Sequence, residues 1–143
     1  MIATELEAGA LSDLAAELRS AGLPISDLAM PGRRFYRFDD AIGLVGYGGI
    51  EGAGADRLLR SLIVTPSRRG GAFGAAMLAY MEGAAATDGA ACLYLLTTTA
   101  GPFFRRHGYE TTGRNDAPAV IAGSAEFQTL CPANADFLSK RIA

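Results

Sequence analysis

The sequence predicts an α/β domain, and three observations carry that reading. First, the apolar run RLLRSLIV ends at Pro66 and leads into a glycine-rich loop, an apolar helical repeat and a second apolar run, CLYLLTT. Strand, helix and strand in that order make a β-α-β unit. Second, RRFYRF and AIGLVGYGGI upstream are strand-like runs divided by the turn signal Asp39-Asp40. Third, the 143 residues hold no repeat, linker or low-complexity tract, so a single domain over 1–143 is expected.

Taken in order, Leu11, Leu14, Ala15 and Leu18 recur at helical spacing, and Gly22 with Pro24 stops that helix. PISDLAMPGRR contains two prolines and a glycine and reads as a loop with room for one helical turn. The two strand-like runs follow; EGAGAD then turns the chain into RLLRSLIV, a buried strand. Phe73, Met77, Tyr80, Met81 and Ala84 mark a helix that Asp88-Gly89 ends. CLYLLTT is the next strand. TAGPFFRRHGY predicts a short helix with a threonine cap, Pro102 in its first turn and Gly108 at its close. YETTGR, a helical APAVIAGSAEFQTL and a final strand within ADFLSKRI complete the chain.

Composition excludes several function classes. Half of the residues are hydrophobic and the net charge is −2, so no global basic field is present to hold nucleic acid. The two cysteines, Cys92 and Cys131, and the single histidine, His107, cannot build a Cys/His zinc site, and no metal is expected. Free thiols fit a reducing compartment. The N-terminus carries Glu5 and Glu7 without a basic start, unlike a signal peptide. The longest apolar stretch is broken by Glu82 and is too short for a bilayer. A cytoplasmic protein with no membrane partner is the expectation.

The loop TPSRRGGAFG is the most informative stretch. A buried strand ends, the chain turns, and a helix begins with N–H groups that have no intrahelical partner. The helix dipole adds positive charge there, and the site suits a phosphate. Glycine permits close approach, and Arg68 and Arg69 add cationic donors. The loop lacks the lysine of a P-loop, and it does not match G-x-G-x-x-G. The alternative is a plain strand-to-helix turn.

VTPSRRGGAFGAAML resembles the acetyl-CoA-binding segment of the GNAT superfamily of N-acetyltransferases: a strand, V-x-P, [QR]-x-x-G-x-[GA], then a helix. Arg69 and Gly74 fit that pattern, while Ala72 stands where its first glycine is expected. AGPFFRRHGYE resembles the second hallmark of the family, a short helix closed by an aromatic residue, glycine and another aromatic residue. More narrowly, LLRSLIV, LYLLTTTA, FFRRHGY and the tail AEFQTLCPANA resemble a GNAT subgroup associated with arsenic resistance. Relatives of that subgroup acetylate amino-acid-like compounds such as phosphinothricin and arsinothricin.

The resemblance implies a mixed, largely antiparallel twisted sheet flanked by helices, with a V-shaped splay between two central parallel strands. It implies acetyl-CoA as co-substrate. Its pyrophosphate would lie on the backbone N–H groups of Arg69, Gly70, Gly71, Ala72, Phe73, Gly74 and Ala75. Its pantetheine would pair with Leu62, Ile63 and Val64 as an added strand, and N–H groups near Ile63 would hold the oxyanion. The acceptor would be a small amino-acid-like amine, reached by Arg60, Glu126 and Cys131. Many family members place a glutamate base on the strand before the loop and a tyrosine acid on the short helix. Here Arg57–Leu62 carries no carboxylate and Phe104 stands at the tyrosine position, so Glu126 is the remaining candidate base. A catalytically inactive CoA-binding sensor or interaction module is therefore the alternative, and an unrelated α/β protein the third reading. Many such small domains pair, so a homodimer stays among the expectations.

Each singled-out residue also has a structural reading. Arg60 is either a clamp for an anionic group of the acceptor or the partner of Asp56 or Glu51 in an ion pair. Cys131 is either a small buried apolar residue or a thiolate that touches arsenic. His107 suits the C-terminal end of its helix through the dipole. Thr97, Thr98 and Thr99 cap that helix or donate toward the thioester. Phe103 and Phe104 pack the core. Arg33 and Arg34 stand where family members bind acceptors or are solvated.

Overall fold

A computed structural model describes residues 1–143. The chain runs β1 (Ile2–Glu5), α1 (Ser12–Ser20), β2 (Arg33–Asp39), β3 (Leu44–Glu51), β4 (Asp56–Val64), α2 (Phe73–Thr87), β5 (Cys92–Thr97), α3 (Gly101–Arg106), β6 (Glu110–Thr111), α4 (Ala119–Ala122) and β7 (Asp136–Arg141). The seven strands form one sheet in the order β1-β2-β3-β4-β5-β7-β6. Every neighbouring pair is antiparallel except β4 and β5, which run parallel. This is the mixed, mostly antiparallel architecture expected.

Alternation along the strands divides the core between the two faces of the sheet. On one face α2 buries Met77, Leu78 and Met81 against Phe38, Leu59, Leu93 and Leu95, and α3 adds Phe104. On the other, α1 buries Leu14 and Leu18 against Phe35, Tyr47 and Ile63. Leu58, Ile121 and Phe137 extend that second layer under α4. α1 is held by this tertiary burial, since nine residues are too few for a stable isolated helix. Gly46 shows how closely β3 and β4 meet: a Cβ there would collide with the carbonyl oxygen of Ile63.

Three local features differ from the sequence reading. β1 is an additional edge strand, paired with β2 through Ile2↔Asp39 to Glu5↔Tyr36. The tail is not one helix: α4 ends at Ala122, capped by Gly123, and a separate wide turn, Glu126–Leu130, closes with an i→i+5 bond from the Cys131 N–H to the Glu126 carbonyl at 3.0 Å. Ser124 joins the two, its hydroxyl accepting from the Phe127 N–H at 3.2 Å. Before α3, Thr97 Oγ1 accepts from the Ala100 N–H at 3.0 Å, so the threonine closes the approach to the helix; the N-cap position is Ala100 and has no side-chain cap.

Candidate active site

β4 and β5 pair only at Asp56↔Cys92, Arg57↔Leu93 and Leu58↔Tyr94. Beyond Leu58 the two strands part, and each presents an unpaired edge. A cavity of about 540 Å³ fills the gap, lined by Arg60 to Val64 on one side and Leu95 to Thr97 on the other. A narrower extension of about 190 Å³ runs between Val64, Phe103 and Gly74 to the start of α2. The larger groove beside Tyr36 and Tyr80, about 650 Å³, is shallow and shares no residue with this slot. Its charged groups Arg34, Glu5 and Asp88 already pair with one another.

The slot edge of β4 is shaped by a bulge. Register passes from Gly49↔Arg60 to Tyr47↔Ile63, which leaves one extra residue on β4. Ser61 takes up the kink at φ +57°, an uncommon conformation for a residue with a side chain. Beyond the bulge the Thr65 N–H donates to the Val45 carbonyl at 2.9 Å, and the Ile63 carbonyl points at Gly46. Antiparallel alternation then turns the peptide groups of Ile63 toward β3 and those of Leu62 and Val64 toward the slot. Of the three residues expected along pantetheine, Leu62 and Val64 present free-edge backbone, whereas Ile63 is spent on β3. The Val64 carbonyl already accepts from Arg69 Nε at 3.0 Å.

The loop between β4 and α2 begins with a tight turn, Pro66–Arg68, and Gly70 reverses it at φ +87°. The Arg69 N–H donates within that turn, to the Pro66 carbonyl at 3.4 Å. The N–H groups of Gly70, Gly71, Ala72, Phe73, Gly74 and Ala75 donate to nothing in the protein; the first intrahelical bond of α2 is Ala76 to Ala72. Six consecutive free donors at the positive end of a 15-residue helix make a cradle whose chemistry suits an anion. Of the seven residues expected to bind the pyrophosphate, Arg69 has its N–H engaged in the turn, and the free run starts at Gly70. A Cβ on Gly74 would meet the Phe103 ring at 3.4 Å, so the smallest residue stands where the cradle opens into the slot. Arg68 is drawn aside, paired with Asp40 and stacked 4.8 Å from the Phe73 ring.

Behind the slot, on the face of the sheet that carries α1 and α4, lies a buried charge cluster. Arg60 has no exposed side-chain area. It grips Asp27 with both terminal nitrogens, at 2.5 and 2.7 Å, and reaches Glu51 at 2.9 Å and Glu126 at 3.0 Å. Arg33 adds a second guanidinium, 3.0 Å from Asp27 and 3.5 Å from Glu51. Of the two ion-pair partners read from the sequence for Arg60, Glu51 is present and Asp56 is not. Every Arg60 N–H faces a protein acceptor, its Nε reaching Ser61 Oγ at 3.4 Å.

Burial alone would raise the Asp27 carboxyl, but its bonds from Arg60 and Arg33 hold it below the ordinary value. Glu126 goes the other way. Burial raises its carboxyl, Arg60 offsets that only in part, and Asp27 and Glu51 repel its charge. Cys131 Sγ lies 3.7 Å from Glu126 Oε1, and burial with the neighbouring carboxylate pushes the thiol up to about 12. A thiol so placed stays protonated at neutral pH and is a poor soft-metal ligand.

Arg60, Glu126 and Cys131 therefore do come together, as a cluster in which the carboxylates already occupy the arginine. Asp27 and Arg33 complete it. Asp27 left no signal in the sequence, since a lone aspartate in a proline-flanked loop reads as a turn residue. His107 ends α3 with its ring 4.8 Å from that of Phe103, and the Phe104 side chain is buried. Arg34 is half exposed and pairs with Glu5.

Comparisons with known proteins bear on the family and the fold. The family model described as the acetyltransferase (GNAT) domain matches residues 31–111. No curated protein matches the sequence. Among solved structures, N-acetylglutamate synthase from Neisseria gonorrhoeae with coenzyme A and L-arginine superposes with a TM-score of 0.77 at 19% identity; 98% of this chain covers 32% of that one. The chain thus spans about a third of that larger protein. An aminoglycoside 6'-N-acetyltransferase complexed with coenzyme A gives 0.73 at 20% identity, covering 100% of this chain and 98% of the other. Tetrahymena GCN5 gives 0.79 at 12% identity, covering 100% and 97%.

Proposed function

The chain belongs to the GNAT acetyltransferase family, and from that membership we propose that it moves the acetyl group of acetyl-CoA to the amine of a small amino-acid-like acceptor, as one catalytic domain over 1–143. One observation carries the reading: the cavity at the splayed strand edge extends to Gly74, within a run of six free N–H groups at the start of α2. Gly70 to Ala75 suit the pyrophosphate, and the free edge at Leu62 and Val64 suits the amides of pantetheine. Acetyl-CoA supplies the activated thioester. That two structures of similar fold were solved with coenzyme A supports the same donor here.

In this reading the protein's own part is alignment and polarisation. The Leu62 N–H, turned toward the slot beside the Ser61 bulge, faces the developing oxyanion. Holding amine and thioester in line removes much of the entropic barrier. The acceptor approaches from the α1 and α4 face, where Arg60 ties the Asp27 loop, the end of β3 and the Glu126 turn into one floor. We assign Arg60 to that floor in place of a free clamp, because its donors are already engaged. Phosphinic and arsonic amino acids remain in the acceptor class on the strength of the tail resemblance alone.

The test is thiol release from acetyl-CoA with a panel of amino acids, their phosphinic and arsonic analogues, polyamines and aminoglycosides. Release with at least one amine supports the enzyme. Acetyl-CoA binding by calorimetry without release across the panel favours the non-catalytic CoA-binding module, which the lack of a carboxylate in Arg57–Leu62 and of a tyrosine at Phe104 motivates. Absence of binding overturns both.

A further inference from the structure

Four hydroxyl-bearing residues line the slot: Ser20, Ser61, Thr97 and Thr99. Ser20 donates to the Ala16 carbonyl at 3.1 Å, so its proton is spent. Thr97 and Thr99 stand on the β5 side of the cavity, across from the slot edge of β4. Ser61 alone belongs to that edge. Its hydroxyl donates to no protein group, and its one side-chain contact is as acceptor from Arg60 Nε at 3.4 Å. It is also the one residue other than glycine with a left-handed backbone, φ +57°. Glycine would take that conformation without steric cost, and what serine adds at the bulge is a hydroxyl.

The charge cluster fixes which way that hydroxyl points. Asp27, Glu51 and Glu126 hold the terminal nitrogens of Arg60, so its guanidinium cannot turn, and the remaining Nε–H is aimed at Ser61 Oγ. An oxygen that accepts from a cation turns its own O–H away from it and becomes a stronger donor. Arg60 lies behind the strand with no exposed side-chain area, whereas Ser61 is partly exposed and lines the slot. The free proton therefore faces the cavity. The Leu62 N–H is the next donor along the chain, and an oxygen atom ~3 Å from it lies within reach of the Ser61 hydroxyl too. Both donors stand past Leu58, where β5 has already parted from β4.

We propose that the Ser61 hydroxyl is a second donor to the thioester oxygen, beside the Leu62 N–H, and that Arg60 is its positioning residue; the proposal rests on the acetyltransferase reading above. A neutral amine adds its lone pair to the acetyl carbon, and the carbonyl π electrons move onto oxygen, where both hydrogen bonds tighten. The added nitrogen gives its proton to solvent. The electrons on oxygen then re-form the carbonyl, the C–S bond breaks with its pair going to sulfur, and the thiolate takes a proton from solvent. Ser61 keeps its proton throughout. Charge on the oxygen is greatest between reactant and product, so this hydrogen bond acts on kcat far more than on acetyl-CoA affinity. The buried cluster thereby gains a task at the slot without any of its carboxylates entering it: three acids clamp one guanidinium so that its last N–H orients a hydroxyl.

The experiment compares wild type with Ser61→Ala, Ser61→Gly and Arg60→Lys, using acetyl-CoA labelled with carbon-13 at the carbonyl. Calorimetry should give acetyl-CoA affinities within about twofold for wild type and both Ser61 variants. Absence of binding to the wild type overturns the acetyltransferase reading and this assignment with it. Hydrogen bonding deshields a carbonyl carbon, so the bound carbonyl signal should move upfield in Ser61→Ala and in Ser61→Gly alike. A signal unchanged in both, with acetyl-CoA bound, overturns the assignment and leaves the acetyltransferase reading standing. For any amine that turns over, both variants should lower kcat by about 10²-fold. Full activity in Ser61→Gly, which relaxes the backbone and removes the hydroxyl, would overturn the assignment as well. Arg60→Lys keeps a positive charge and loses the Nε–H. It should move the carbonyl signal the same way in the wild type and add nothing on top of Ser61→Ala; equal shifts in both backgrounds would overturn the positioning role.

Discussion

At Arg60 a single side chain holds three carboxylates that would otherwise repel one another. Replacing it with methionine keeps the length of the side chain and removes the charge. Arg60→Met should cost about 3–5 kcal/mol, the range for stripping one partner from a buried ion pair; urea unfolding measures it, and a cost below about 1 kcal/mol would contradict the burial described. At the cradle the decisive quantity is steric and electrostatic together. Gly74→Glu places bulk against Phe103 and a negative charge beside free N–H groups, so acetyl-CoA binding should be lost in a calorimetric titration. Ala72→Gly should keep it, because glycine is acceptable at an N-cap and the N–H is unchanged. The cradle residues were readable in the sequence because a helix N-terminus is a local object, fixed by neighbours in the chain. The partners of Arg60 were not: Asp27 is 33 positions away and meets it only once α1 has packed on the sheet.

Among the elements, β4 matters most, since it pairs with β3 along its length and with β5 only at its start. Amides facing the slot at Leu62 and Val64 should exchange quickly with solvent in the free protein and slow markedly with acetyl-CoA. The Ile63 amide, turned to β3, should be protected in both states; hydrogen-exchange NMR distinguishes them. Equal protection at all three positions would refute the alternation. The long elements were legible because their periodicity was strong: nine residues in β4 and fifteen in α2 are each bounded by proline or glycine. β1 was not, because its four residues lie exposed on an edge and are strand only by pairing with β2. The apolar spacing of the tail continues across Gly123-Ser124 and so predicts one helix. The break arises because Ser124 turns its hydroxyl to the Ile121 carbonyl and the Phe127 N–H, and so competes with the helix ladder.

For the molecule as a whole, the buried cluster makes stability depend on pH in two opposed ways. Asp27 has a lowered native value, so the stability it adds is present above the ordinary 3.8 and lost as pH falls through that native value. Glu126 has a raised one: its contribution is full below the ordinary 4.5 and is lost as pH rises through the native value. Glutamine does not titrate, so the melting temperature of Glu126→Gln relative to wild type should climb from acidic to alkaline buffer. A flat difference would show that Glu126 titrates alike in both states. Saturation with acetyl-CoA acts on the same balance by mass action, adding about 2.7 kcal/mol at a hundred times Kd.

The parting of β4 from β5 has a further consequence. A sheet ordinarily ends in two borders, and this one has four, two of them in its middle. Backbone along an inner border can be templated by any extended peptide of suitable width, including a stretch of another nascent copy. Pantetheine seated there, as proposed above, would deny that place to a polypeptide. On the proposed acetyltransferase reading, the metabolite that the reaction would consume would also keep the empty centre of the sheet from being misused, and a shortage of acetyl-CoA would leave the protein open to mispairing along that seam.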